Sequence, residues 1–177
     1  MSVFIRSAEP ADAPKLPDIE GSAGQIFVQI PGLEWIADDH VMSAQQHLPA
    51  ITAQTAWVAS QDAGIVAFLS AEHVGDALHI HEISVHADAM GQGIGRRLID
   101  AAIAAARVRG LSAVTLTTFR HVPWNAPYYQ RLGFETLAAH QLNQRLAIIL
   151  KGEVEAGLPG DRRCAMRLNL ALGHLPV

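Results

Sequence analysis

The chemistry legible in this chain sits in two short stretches, a glycine-spaced turn and a histidine pair just before it. In Ser84-Val-His-Ala-Asp-Ala-Met-Gly-Gln-Gly-Ile-Gly-Arg-Arg-Leu98, a β-branched strand end runs into Gly91, Gly93 and Gly95, and an alanine-rich helix follows at once. Alternate glycines at a strand-to-helix turn let the backbone bend tightly and turn several N–H groups toward one point. The helix start adds its own unpaired N–H groups and the positive end of its dipole. Such a turn is an anion site made of backbone, suited to a pyrophosphate; a glycine-rich turn without a ligand is the plainer reading. Arg96 and Arg97 open that helix, where a cation works against the dipole, so an anionic ligand would offset the cost.

His79-Ile-His81 lies on the strand leading into the turn, and residues two apart in a strand face the same side. An imidazole with an ordinary pKa near ~6.5 can accept a proton at neutral pH. A partly exposed polar strand face would also explain the pair. His-x-His can chelate a metal, but no further ligand is patterned nearby, and no metal is expected. Glu82 is the rival base. In a regular strand it faces opposite to both histidines, so the two choices are compatible only if a bulge intervenes.

The elements that must position these groups follow from periodicity. Val3–Arg6 reads as a strand. Helices are expected at 13–27 and 34–46, in a region made irregular by Gly21, Gly24, Pro31 and Gly32. Strand-like runs at 56–60, 65–73 and 77–85 are separated by turn residues, which predicts an antiparallel meander. The clearest helix spans 93–109, with Ile94, Leu98, Ile103 and Val108 expected on its buried face and Gly110 as its C-cap. Further elements are a Thr-rich strand at 113–119, a short helix at 126–131, strand 134–137, helix 141–155 and a closing strand at 165–170. The order predicts an α/β fold: one domain over residues 1–177, with a mixed, mostly antiparallel sheet and helices on both faces.

Two motifs in this order resemble the GNAT superfamily of acyl-CoA-dependent N-acetyltransferases. Met90-Gly-Gln-Gly-Ile-Gly95 is similar to that family's phosphate-binding segment, and Tyr129-Gln-Arg-Leu-Gly-Phe134 to its Tyr-x-x-x-Gly-Phe. The resemblance covers roughly residues 55–137 well and the rest loosely. It implies a mixed sheet of the GNAT type and acetyl-CoA as co-substrate. The implied activity is transfer of the acetyl group to a primary amine, on a small molecule or a peptide, by direct attack in a ternary complex. It implies that Met90, Gly91, Gln92, Gly93, Gly95 and Arg96 hold the cofactor's phosphates. Met90 stands where the family has Gln or Arg, which removes a polar side-chain contact but no backbone N–H. Asn125 is nearer to Tyr129 than the family's capping Asn, so it is read either as a cofactor contact or as the N-cap of the short helix.

The resemblance also implies a strand bulge that frees the Ile83 amide to polarise the thioester carbonyl, and a Val85 backbone contact to the pantetheine arm. The spacing from His79 and His81 to Gly93 is similar to that in family members whose strand histidines line a proton-removal path, whereas many members use a glutamate on this sheet. Tyr129 becomes the candidate acid, because a hydroxyl with pKa near ~10 can donate to a leaving thiolate. A non-catalytic acyl-CoA-binding or sensory domain is the alternative on the same fold. A dinucleotide site is disfavoured, because the glycines have the wrong spacing and the next strand ends Thr117-Thr-Phe-Arg120 without a carboxylate.

Composition narrows the partners. Thirteen Lys and Arg against seventeen Asp and Glu give a net charge of −4 over 177 residues, with no basic stripe for nucleic acid. The apolar run Leu146–Leu150 is too short to span a bilayer. A single cysteine, Cys164, allows no intrachain disulfide, and the N-terminus has no signal-peptide layout. A soluble, cytoplasmic protein is expected. The fold implied is often dimeric, so a homodimer is compatible, but no interface is legible.

Overall fold

The structure is a computed structural model that describes residues 2–62 and 64–170. Its strands are β1 (Val3–Ser7), β2 (Ala56–Gln61), β3 (Gly64–Val74), β4 (Ala77–Val85), β5 (Ala113–Phe119), β6 (Glu135–Thr136) and β7 (Arg163–Asn169). The α-helices are α1 (Leu16–Gly24), α2 (Ala44–Thr52), α3 (Ile94–Val108), α4 (Ala126–Arg131) and α5 (Gln144–Glu155). The seven strands hydrogen-bond in the order β1-β2-β3-β4-β5-β7-β6. β4 and β5 run parallel, while β1/β2, β2/β3, β5/β7 and β6/β7 are antiparallel. This is the mixed, mostly antiparallel sheet that the element order predicts.

The chain divides into two compact units, Met1–His73 with His81–Ala105, and Val74–Ile80 with Ala106–Val177; β4 contributes to both. The core of the first unit joins Ala13, Leu16 and Ile19 to Ile51 and to the inward residues Ala56, Val58 and Phe68. Full burial of each large side chain in such a core contributes about 1.5–3 kcal/mol. At its edge, Arg6 donates to both oxygens of Asp12, at 2.7 and 2.9 Å, which ties β1 to the 3-10 turn over Pro10–Lys15. In the second unit, β5 pairs along its whole length with β7, and α5 is clamped to both strands. Arg163 reaches Glu153 with two hydrogen bonds of 2.9 Å, and Thr117 donates its hydroxyl to the same carboxylate.

Where the helices begin differs from the sequence pattern. The helix expected at 34–46 is replaced by a 3-10 turn at Glu34–Asp38 and by α2, which starts only after Ser43. Ser43 caps α2 by accepting from the Gln46 N–H, and Gln46 answers with its side chain to the Ser43 N–H. That reciprocal cap fixes the start at 44 more strongly than apolar spacing does. Likewise α5 starts at Gln144, because Asn143 accepts from the Leu146 N–H at 2.9 Å. The expected helix at 13–27 is α1 flanked by 3-10 turns at Pro10–Lys15 and Gln25–Gln29.

In α3 the buried residues are Ile94, Leu98, Ile99, Ala102, Ile103 and Ala106, whereas Val108 is 89% exposed. At about 100° per residue, this stripe is centred roughly a quarter turn from Ile94, and Val108 falls on the other side of the helix. Gly110 ends the helix as expected: its φ is 69°, its N–H reaches Arg107, and the Leu111 N–H reaches back to Ala106.

Candidate active site

In the first unit, the glycine turn has the conformation its sequence requires. Gly91 and Gly93 have φ of 76° and 74°, in the left-handed region where only glycine is unstrained. A Cβ at either position would meet nothing within 4 Å, so the backbone there faces open space. Gly91, Gln92 and Gly93 are all exposed. The Gly93 carbonyl accepts the first intrahelical bond of α3, from the Arg97 N–H at 3.3 Å. The N–H groups of Ile94, Gly95 and Arg96 therefore have no carbonyl within the helix to bond. Together they form a cluster of backbone donors at the positive end of a fifteen-residue helix. The Gln92 side chain is turned toward Gln61, at 3.4 Å, so backbone rather than side chain is what this turn offers an anion. Arg96 already has a counter-charge. Its Nε lies 3.0 and 3.1 Å from the two Asp100 oxygens, which offsets the unfavourable dipole contact without any ligand.

Strand β4 runs into that turn. Its parallel ladder with β5 comprises Ala77↔Ala113 to Ile80↔Leu116, so Glu82, Ile83 and Val85 lie beyond the last of these pairs. Beyond the ladder, Ser84 donates its hydroxyl to Glu82 at 2.8 Å, and His81 pairs with Glu72 at 3.0 Å on an exposed part of the strand. His79, two residues earlier and in the second unit, has a different environment. It is 3% exposed, and its Nδ1 lies 2.9 Å from the Thr115 hydroxyl. The two histidines thus have separate partners, one buried and neutral-facing, the other at the surface against a carboxylate.

The second unit also carries the tyrosine motif. Tyr129 is 6% exposed, packed edge-on against Phe134 at 5.8 Å and against Tyr128 at 5.5 Å. The Phe134 N–H bonds back to the Tyr129 carbonyl, which is how the Tyr-to-Phe spacing closes the turn after α4. Asn125 occupies the N-cap position of α4, but its side chain makes no cap hydrogen bond. Its backbone carbonyl instead accepts from Tyr128 and Tyr129. The side-chain oxygen Oδ1 is buried without a hydrogen-bond partner. The capping reading of this side chain is therefore corrected. A buried amide oxygen left unpaired costs about 1–3 kcal/mol, which makes it a natural acceptor for a donor brought by a ligand.

Two groups that sequence reasoning passed over lie in the first unit. Glu20, on α1, has its side chain only 16% exposed and accepts from the Met42 N–H at 3.2 Å. Burial, reinforced by the negative charge of Glu82 and only partly opposed by that N–H, pushes its carboxyl up to about 7. His47, on α2, is fully buried against the edge of Phe68, and its Nε2 lies 3.9 Å from the Glu20 carboxylate. Neither ring nitrogen has a hydrogen-bond partner. Burial depresses the imidazole pKa, countered weakly by the Met42 backbone, so the ring is neutral at physiological pH. No motif marks Glu20 or His47. The one signal available was a carboxylate beside Ile19 on the apolar face of a short helix.

Among the described residues no group of His, Cys, Asp and Glu could hold a metal ion, and no helix is long and apolar enough to cross a membrane.

Comparison with known proteins accords with this geometry. The model of the acetyltransferase (GNAT) domain family matches residues 52–136, from the end of α2 to β6. Among solved structures, the chain is similar to the PaiA N-acetyltransferase from Thermoplasma acidophilum, crystallised with coenzyme A. The TM-score is 0.70 at 15% identity, over 96% of this chain and 100% of that one. It is similar to the ribosomal-protein-S18-alanine N-acetyltransferase from Escherichia coli, with a TM-score of 0.64 at 19% identity over 99% of each chain. It is also similar to N-acetylglutamate synthase from Neisseria gonorrhoeae, complexed with coenzyme A and N-acetyl-glutamate. There the TM-score is 0.68 at 18% identity, over 97% of this chain but only 36% of that longer one. With the glycine turn at the head of α3, the tyrosine turn after α4 and the strand order between them, residues 52–136 belong to the acetyltransferase (GNAT) domain family, and the chain has that family's fold.

Proposed function

We propose that this protein transfers an acetyl group from acetyl-CoA to a primary amine, on a small molecule or a peptide, by direct attack in a ternary complex. The observation that carries the reading is the glycine turn. Gly91 and Gly93 take up positive φ in open space and lead into a helix whose first N–H groups have no acceptor within it. Backbone donors fixed in this way favour a pyrophosphate, as coenzyme A carries. Met90, Gly91, Gln92, Gly93 and Gly95 supply that cradle, with Arg96 beside it. The unpaired Oδ1 of Asn125 fits an N–H of the pantetheine arm, and the Val85 backbone is assigned to the same arm.

When bound, acetyl-CoA supplies an activated carbonyl and a leaving thiolate. The chain's own groups do the rest. The Ile83 amide lies beyond the last β4–β5 pair, which supports its assignment as the donor to the carbonyl oxygen. An amine is mostly protonated at neutral pH, so a proton must leave it before attack. His79, His81 and Glu82 are the candidates for that step. His81 is surface-exposed beside Glu72, and Glu82 is half-buried under the Ser84 hydroxyl. Tyr129, with its ring held by Phe134 and Tyr128, is assigned as the acid that protonates the thiolate. A cytoplasmic location suits a chain whose single cysteine, Cys164, is free and buried.

The test is direct. Coenzyme A should raise the melting temperature, and NAD should not. Thiol release from acetyl-CoA across a panel of primary amines and amino-terminal peptides should then identify the acceptor. Stabilisation by NAD and not by coenzyme A would remove the assignment. Coenzyme A binding without acetylation of any amine would leave the acyl-CoA-binding module instead.

A further inference from the structure

We propose that a cavity between β1, the turn after it and the β2–β3 hairpin is a second ligand site, and that it takes a small zwitterion of the α-amino-acid class. The site is separate from the glycine turn and stands whether or not the protein acetylates an amine.

The cavity has a volume of about 360 Å³ and lies wholly in the first unit. That is within the size range of small-molecule pockets. It has two walls. One is β1 with the 3-10 turn over Pro10–Lys15, which presents Arg6, Asp12 and Lys15. The other is the hairpin, which presents Ser60, Asp62 and Ile65. Register explains the second wall. Ala59 pairs with Ala67 but Ser60 pairs with Ile65, so a bulge at Val66 sets Ile65 opposite Ser60 on one face of the sheet. Asp62 turns the hairpin with φ of 54°, a conformation that aspartate tolerates better than most residues.

The first wall is cationic, although it contains a carboxylate. Both oxygens of Asp12 are engaged by Arg6, at 2.7 and 2.9 Å, and one of them also accepts from the Glu9 N–H at 2.8 Å. Asp12 is buried, so its charge is cancelled within the wall. Arg6 uses three of its five N–H donors on Asp12 and the Ser7 carbonyl. Its side chain is half-exposed, which leaves the Nε–H and one Nη2–H for a ligand. Lys15 adds a full ammonium. The charge of the second wall is Asp62. Among the described residues neither Lys15 nor Asp62 forms an ion pair, so the two charges face the cavity without cancelling across it.

Unlike charges on opposite walls match a ligand that carries both. A carboxylate accepts from Lys15 and the remaining Arg6 donors, while an ammonium donates to Asp62 and the Ser60 hydroxyl. A simple anion meets the first wall only and turns its charge toward Asp62; a simple cation meets the second only and faces Lys15. Ile65 offers an apolar surface to the ligand's side chain, which favours an aliphatic one. Gln61 joins the hairpin to Gln92 of the glycine turn, at 3.4 Å, but among the described residues the cavity and that turn share no lining residue. Zwitterion and coenzyme A can therefore be bound together.

The experiment titrates L-leucine into the protein without acetyl-CoA and follows backbone amide chemical shifts. Binding should saturate with Kd on the order of 1 mM, the scale for a ligand of so few atoms. The shifts should be confined to the two walls, and Kd should be the same with coenzyme A saturating. 4-Methylpentanoate lacks the ammonium and 3-methylbutylamine lacks the carboxylate; each should bind about tenfold more weakly, or worse, for the loss of one charge-assisted contact. Lys15→Gln and Asp62→Asn replace exposed side chains, and asparagine accepts the positive φ. Each should weaken leucine about fivefold or more and leave coenzyme A affinity and Tm unchanged. The inference is overturned by leucine binding that does not saturate below about 30 mM, by equal binding of 4-methylpentanoate or 3-methylbutylamine, by wild-type leucine affinity in either variant, or by displacement of leucine by coenzyme A.

Discussion

Replacing Glu20 by glutamine should stabilise the protein at neutral and alkaline pH, although it removes a hydrogen-bonding carboxylate. The reason is linkage. Glu20 titrates near 4.5 in the unfolded chain and at about 7 in the folded one. Between those values the folded state holds a proton that the unfolded state has lost. Stability therefore falls as pH rises through this window, by about 1.4 kcal/mol per pH unit, and is lowest above the folded value. The full span corresponds to roughly 3 kcal/mol. With its side chain 16% exposed, Glu20 is buried enough for much of this to be expressed. Glutamine has the same shape, still accepts from the Met42 N–H, and carries no charge against Glu82. The variant should match wild type near pH 4 and exceed it by about 1–3 kcal/mol at pH 8. Urea denaturation of both proteins at four or five pH values gives the difference directly. A pH-independent difference, or a variant less stable than wild type at pH 8, would show that Glu20 ionises normally and would refute the reasoning.

Other perturbations separate the parts of the structure. Gly93→Val forces a β-branched residue into φ 74°, so it should cost about 1–2 kcal/mol of stability and weaken coenzyme A binding at least tenfold, read by thermal melts and a coenzyme A titration. Tyr129→Phe keeps the ring contacts to Phe134 and Tyr128 and removes only the hydroxyl. Acetyl-CoA affinity should hold while kcat falls by about ten- to a thousandfold, and an unchanged kcat with chemistry rate-limiting would exclude it as the acid. Glu153→Ala leaves the half-buried Arg163 with only the Thr117 hydroxyl and the Phe119 ring beside it, and denaturant unfolding should show a loss of about 1.5–3 kcal/mol. Asp12 is held below its ordinary pKa chiefly by the hydrogen bonds from Arg6, so its contribution is present above pH 3.8 and is lost as pH falls through the lower folded value. Asp12→Asn should accordingly cost about 1 kcal/mol at pH 7, reduced from a buried pair's value because Arg6 is half-exposed, and nothing once both forms are protonated.

What the sequence determined by itself was everything carried by local constraint. Glycine at 91 and 93 is needed because the turn takes positive φ there, and Gly110 ends α3 for the same reason. The strands of the meander were legible because their alternation and turn residues are local. The Tyr129-to-Phe134 spacing was legible because it closes on its own backbone. The helix starts after Ser43 and Asn143 are written in the sequence as caps, whereas apolar periodicity by itself places them earlier. Exposure of Val108 was not legible, since its side of α3 is set by what the helix packs against and not by its own residue type.

Tertiary structure alone decided how side chains distant in sequence meet. It gave His79 to Thr115 and His81 to Glu72, and so separated a pair that sequence spacing treats as equivalent. It joined Glu153 to Arg163 and left the Asn125 oxygen unpaired. It placed His47 3.9 Å from Glu20 and brought the charge of Glu82 within reach of the same carboxyl. No spacing rule links positions 20, 47 and 82, because the loops between them can bring such residues together or keep them apart. A carboxylate's pKa depends on that proximity and on loss of water, which exist only once the chain has packed.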